Sequence, residues 1–139
     1  MMNELYPGKI FYPITPMDMV REFHEKFRAA VDQPFDNNLV DLRYDLIVEE
    51  LDEIAEELYG IDTDGSGINK KKLTKELADL LYVTYGTAVT FGLPLEEVFA
   101  EVHKSNMSKL TADGKVIRRE DGKILKSDQY KEPDLERFF

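Results

Sequence analysis

Cysteine is absent from the 139 residues, which excludes disulfides, thiolate nucleophiles and thiolate metal sites. Histidine is scarce, with only His24 and His103, so a bound metal has to rely mainly on oxygen ligands. No apolar run approaches the roughly 20 residues that span a bilayer, and no membrane partner is expected. The opening Met1-Met2-Asn3-Glu4-Leu5-Tyr6-Pro7 carries neither a basic n-region nor an apolar h-region. A secretory signal is therefore not expected, and the expected location is the cytoplasm. Basic charge is also in deficit: 18 Lys+Arg against 28 Asp+Glu leaves a net charge of −10. That balance argues against a nucleic-acid polymer as partner, because phosphate-backbone binding needs a basic face. Neither a Gly-rich phosphate loop nor a nucleophile elbow is present. What is there, 42% apolar and 33% charged residues, suits one soluble globular domain.

Apolar periodicity along the chain is helical. Residues 1–14, interrupted by Pro7 and Pro13, read as an extended arm. Thr15-Pro16-Met17-Asp18 is a helix start, with a capping hydroxyl, a proline at the first position and an acid at the positive end of the dipole. Met19, Phe23, Phe27 and Ala30 continue that helix towards Asp32, where Pro34 disfavours its extension. A second helix is expected from Asn37 or Asn38 to Tyr59, ended by Gly60, with Leu39, Leu42, Leu46 or Ile47, Leu51, Ile54 and Leu58 as its apolar stripe. A third is expected from about Asn69 to Phe91, carrying Leu73, Leu77, Leu80, Leu81, Thr84 and Ala88, and ended by Gly92. Gly86, inside it, marks a close helix contact. Pro94 opens a fourth helix, with Leu95, Val98, Val102 and Met107. Beyond Leu110, Lys115-Val116-Ile117-Arg118-Arg119 and Lys123-Ile124-Leu125-Lys126 flank Asp121-Gly122, a two-residue hairpin signal. The expected architecture is an all-α bundle of four to five helices over 1–110, with a small C-terminal β-hairpin and tail over 111–139.

One stretch stands apart. Seven carboxylates, Asp45, Glu49, Glu50, Asp52, Glu53, Glu56 and Glu57, fall within 13 residues that hold no Lys or Arg. Solvated helices usually interleave opposite charges, because like charges at i, i+4 repel. Glu50 and Glu53 each precede a stripe residue, Leu51 and Ile54, and so border the apolar face. Glu76 and Asp79 repeat the i, i+3 spacing on the third helix, just before Leu77 and Leu80. Residues so spaced lie about 4.5 Å apart along a helix axis. Two helices that each bring such a couple can surround a hard divalent cation with oxygen, and a further carboxylate can act on water. An amphipathic helix that is acidic only for solubility is the plain alternative.

Glu49-Glu50-Leu51-Asp52-Glu53, followed after 22 residues by Glu76-Leu77-Ala78-Asp79, resembles the E-E-x-x-E … E-x-x-D signature of the all-α nucleoside triphosphate pyrophosphohydrolases. That superfamily holds MazG-like proteins, dimeric dUTPases and phosphoribosyl-ATP pyrophosphohydrolases. The helical resemblance extends over roughly 15–110. It implies a MazG-like fold and cleavage of a (deoxy)nucleoside triphosphate to monophosphate and pyrophosphate, with Mg2+ or Mn2+ as cofactor and nucleotide-pool cleansing as the role. Glu50, Glu53, Glu76 and Asp79 match the metal ligands, and Glu49 matches the position of the general base. Asn106 and Lys109, with Lys104 behind them, are the phosphate-binding candidates that it implies, and Lys123 and Lys126 are weaker ones. A homodimer or dimer of dimers is expected, with the site at or near the interface. Phosphoribosyl-ATP is the alternative substrate, placed second because of the tail after Leu110. A non-catalytic acidic module that binds a partner protein is the alternative from another class.

Asp62-x-Asp64-x-Ser66-Gly67 copies the opening of a calcium loop, but Leu73 stands where the bidentate Glu belongs, so a plain turn is expected. Lys70-Lys71-Lys72 reads as a solvated cluster at a helix start. His24 and His103 lack a second ligand at metal spacing and are expected to be structural. Gln33, Phe35, Asn37 and Asn38 are equally balanced between reaching a base and capping the acidic helix.

Overall fold

The computed structural model describes residues 14–60 and 67–139. The expected N-terminal arm over 1–13 and the calcium-like residues Asp62 to Ser66 lie outside the described residues. Four helices are present among the described residues: α1 Pro16–Lys26, α2 Asn37–Tyr59, α3 Lys70–Phe91 and α4 Leu95–Met107. A single 3-10 turn, Glu136–Phe138, follows near the C-terminus. The described residues contain no helix long and apolar enough to cross a membrane. They fall into two compact units that divide between Leu93 and Pro94.

In the first unit α3 is the shared element, packed against both α1 and α2. A capping box starts α1: the Thr15 hydroxyl accepts the Asp18 N–H, and Asp18 accepts the Thr15 N–H. The helix stops at Lys26, earlier than its apolar spacing suggests. The Phe27 and Ala29 N–H groups bond back to the Phe23 and His24 carbonyls, and Arg28 then takes a left-handed φ of 58°. The loop that follows is tied to α3. Asp32 and Gln33 donate their N–H groups to the Val89 and Thr90 carbonyls, at 3.0 and 2.7 Å, which satisfies backbone groups at the end of that helix. Asp32 also receives a two-pronged bond from Arg21 at 2.9 and 3.0 Å. The cap of α2 is Asp36, which accepts the Asn38 and Leu39 N–H groups. It displaces Asn37 and Asn38 from the capping role. Gly92 closes α3 at φ 64°, a left-handed conformation that glycine adopts without strain.

The core of this unit is small: Val20, Ile54 and Val89 are buried with Gly86, Ala88 and Thr90, and with two polar side chains, His24 and Arg43. Several residues of the expected apolar stripes face solvent instead. Leu51 is 53% exposed and Leu81 58%. Leu81 nevertheless lines a cavity with Pro16, Met19 and Val20 of α1.

The second unit is α4 with the C-terminal segment tied to it. Glu101 is only 5% exposed. It accepts the Asp134 N–H at 3.1 Å and the Arg137 guanidinium at 2.7 Å. Ser105 Oγ donates to the Lys131 carbonyl at 2.7 Å, and the Lys131 N–H donates to Ser108 Oγ at 2.9 Å. The expected β-hairpin does not form. Its turn is present, with the Arg119 N–H on the Lys123 carbonyl and the Gly122 N–H on the Arg119 carbonyl. The ladder amounts to one isolated bridge, Arg118 to Ile124. Two short segments with no third strand, and with Val116, Ile117 and Ile124 exposed, have too little to hold a sheet together.

The Asp134 N–H, and after it the charges of Lys104 and Arg137, hold the Glu101 carboxyl below its usual range. A lowered folded-state pKa adds stability above the ordinary value near 4.5, and that stability is lost as pH falls through the lowered value. Hydrogen-exchange protection of the Asp134 amide is therefore expected to decline as the solution is acidified below about pH 4.5. In Glu101→Gln the amide should exchange readily at neutral pH already, with little further dependence on acid.

Candidate active site

The seam between α2 and α3 gathers the acids. Residues 39, 43, 46, 47, 50, 53, 54 and 57 share one side of α2, the side turned to α3. Glu50 and Glu53 are thus drawn partly out of solvent by the same periodicity that buries Arg43 and Ile54. On α3, Glu76 and Asp79 occupy the side that faces α2. One carboxylate oxygen each from Glu50, Glu76 and Asp79 lies within 4.8 Å of the others. Glu53 adjoins the cluster through its side-chain contact with Glu76.

Electrostatics make this arrangement unstable unless something offsets it. Two like unit charges about 5 Å apart repel by roughly 3 kcal/mol at an effective dielectric of about 20, less where solvent screens them. Burial first, and then the charges of Asp79, Glu76 and Glu49, push the Glu50 carboxyl above its ordinary range. Glu53 is raised as well, mainly by the bond with Glu76. Lys75 offers partial relief: its Nζ lies 2.7 Å from Asp79 and 3.3 Å from Glu76, and these contacts raise its own pKa. Glu50 Oε2 gains no such contact. It is buried and, among the described residues, has no hydrogen-bond partner.

An all-oxygen donor set from two helices, with one buried oxygen left unpartnered, fits a hard divalent cation. Glu50, Glu76 and Asp79 supply the cluster, and Glu53 stands at its edge.

A family model described as phosphoribosyl-ATP pyrophosphohydrolase matches residues 18–106. The chain belongs to that family. The family lies within the MazG-like all-α NTP pyrophosphohydrolase superfamily, and membership indicates a pyrophosphohydrolase. It is typically metal-dependent, in keeping with the carboxylate cluster. No curated protein matches the chain.

The other expected site residues are distributed as follows. Glu49 is exposed on α2 beside Glu50. Lys104 and Asn106 lie on α4 and Lys109 just after it, in the second unit. Lys104 Nζ is 3.7 Å from Glu101, and Asn106 is exposed. Lys123 is exposed, and the Lys126 ammonium sits 4.3 Å from the Tyr130 ring centroid. His24 is buried, with Nδ1 2.8 Å from the Ala30 carbonyl. Phe35 stacks on Phe91, with ring centroids 4.5 Å apart. Sequence reasoning passed over Lys75, although its i, i+4 spacing to Asp79 was a readable sign. It also passed over Arg43, for which a cation on the apolar side of α2 was the only signal.

Divalent cation is expected to relieve the repulsion and raise the melting temperature of metal-free protein, as calorimetry or circular dichroism would record. Glu50→Gln and Asp79→Asn should abolish most of that shift. In EDTA at neutral pH, Glu50→Gln should melt a few degrees above the parent chain, because a partly buried charge without a partner has been removed.

Proposed function

We propose that the protein hydrolyses a (deoxy)nucleoside triphosphate to the monophosphate and pyrophosphate, with Mg2+, or Mn2+ in its place, held by Glu50, Glu53, Glu76 and Asp79. The observation that carries this proposal is the buried Glu50 Oε2, without a hydrogen-bond partner among the described residues, beside Glu76 and Asp79. A bound divalent cation supplies positive charge opposite the polyphosphate, which lowers the barrier to attack at phosphorus. Glu49 lies next to Glu50 with its side chain open to solvent, a position from which it takes the proton of the attacking water. Asn106, Lys109 and Lys104 serve the phosphates as hydrogen-bond donors and cations, with Lys123 and Lys126 as lesser contributors. The biological role is removal of unwanted nucleotides from the cytoplasmic pool.

A second substrate has its own support. The matching family model is described by phosphoribosyl-ATP, and the same carboxylates suit that molecule's polyphosphate equally well.

The active form is proposed to be a homodimer, or a dimer of dimers. Tyr44, Leu51 and Leu58 lie exposed on one flank of α2, and Leu77 and Leu81 on α3. Large apolar side chains grouped on helix flanks are more stable against a second surface than in water.

A panel of NTPs, dNTPs and phosphoribosyl-ATP, read as phosphate after added pyrophosphatase, tests the activity. Mg2+-dependent release from at least one NTP or dNTP is expected. EDTA should abolish it, and Glu50→Gln, Asp79→Asn and Glu49→Gln should each reduce it by on the order of 100-fold. Release from phosphoribosyl-ATP alone selects the second substrate, and release from none excludes both. Light scattering should give at least twice the 16.1 kDa of the chain, and Leu51→Glu combined with Leu77→Glu should reduce the mass to that of one chain.

A further inference from the structure

Gly86 leaves a gap in the surface of α3 that side chains from α1 and α2 enter. A Cβ at this position would collide with Arg43 Nη2 and lie 3.1 Å from both Arg43 Cζ and His24 Nε2. The missing side chain makes room for a guanidinium. Arg43, on α2, is 8% exposed. It donates from Nη2 to the Val83 carbonyl at 2.8 Å, and from Nε to the Thr87 hydroxyl at 3.3 Å. Among the described residues no carboxylate pairs with it, and burial alone lowers its pKa. A guanidinium stays charged under these conditions.

A buried cation without a counter-ion is a poor way to stabilise a core. An apolar side chain of similar size would avoid the desolvation that the guanidinium incurs. What the guanidinium adds is direction, because its planar fork accepts one orientation on one carbonyl and one hydroxyl. Its position gives that direction a consequence. Arg43 precedes Glu50 by seven residues, two turns along the same face of α2. Gly86 follows Asp79 by seven residues, two turns along the same face of α3. The socket and the carboxylate cluster are therefore two stations on one seam, and a shift of α2 against α3 at the first moves the ligands at the second. Cation ligands have to be held to within about 0.5 Å.

We infer that Arg43 is a positioning residue for the carboxylate cluster. Its guanidinium, seated over Gly86 and bonded to Val83 and Thr87, sets the register of α2 against α3 and so the spacing of Glu50 from Glu76 and Asp79. This inference rests on the cation site proposed above.

Mn2+ titration of the full chain, by calorimetry or by loss of the free-ion paramagnetic resonance signal, tests it without any substrate. Arg43→Met is expected to weaken Mn2+ binding by roughly tenfold or more, the size of effect typical of residues that orient metal ligands. Gly86→Ala, which displaces the guanidinium without replacing Arg43 or any carboxylate, should produce a similar loss. Arg43→Lys, which keeps a charge and a donor, should recover part of it. Val20→Ala removes buried volume from α1 on the side of α3 that carries Tyr82 and Tyr85, without touching Arg43, Gly86 or a carboxylate. It should lower the melting temperature and leave Mn2+ affinity within twofold of the parent, so that general destabilisation is told apart from lost register. If Arg43→Met does not fold, the Gly86→Ala and Arg43→Lys titrations decide. Parent-like Mn2+ affinity in the folded Arg43 and Gly86 variants overturns the positioning role alone, as does a comparable loss in Val20→Ala. A parent chain that binds no Mn2+ overturns the cation site and this role together.

Discussion

Repulsion among carboxylates at the α2–α3 seam is the constraint around which the first unit is organised. Glu50, Glu76 and Asp79 bring oxygen atoms within 4.8 Å of one another, and Glu53 adjoins Glu76. Lys75 pairs directly with the α3 acids Glu76 and Asp79, and reaches Glu50 and Glu53 through its charge alone. The buried Glu50 Oε2 has no hydrogen-bond partner among the described residues. A protein selected for stability alone would not place four acids along a helix interface. Such an arrangement is understandable where a cation completes it, and a cation so held is suited to a polyphosphate.

The rest of the unit keeps these acids from moving apart. Helix α3 is packed by α1 on one side and α2 on another, and its last carbonyls are capped by the Asp32–Gln33 loop. That loop is in turn held by Arg21. Arg43 and His24 meet over Gly86, where α3 offers no side chain. The apolar core is modest, and polar contacts of defined geometry carry much of the burden of holding α2 and α3 in register. In the second unit Glu101 has the same kind of role, since a buried carboxylate ties the C-terminal segment to α4 through Asp134 and Arg137. The two acids differ in what they lack: Glu101 has its partners within the chain, and Glu50 Oε2 has no hydrogen-bond partner among the described residues.

Much of this was legible from residue order. Turn chemistry and apolar spacing located the four helices, because capping residues and a period near 3.6 act locally. The two i, i+3 acidic couples were readable for the same reason, and together they resembled a superfamily that the family match over residues 18–106 bears out. Local signals misled where long-range packing decides. Asp121-Gly122 does form its turn, but a turn cannot supply the third strand that a ladder needs. The α1 periodicity ran past Lys26, and the chain nevertheless breaks there to reach α3. Leu51 and Leu81, assigned to core stripes, remain exposed.

The sequence by itself determined the helical architecture, the absence of thiol chemistry, and the identity of the acids that converge. Each of these depends on residue type or on spacing within one helix. Tertiary structure alone decided that the Glu50 oxygen is stranded, that Lys75 reaches two carboxylates, and that Arg43 is buried against Gly86. Those facts depend on where α2 lies against α3. That placement is a property of two surfaces in contact, which neither helix encodes separately.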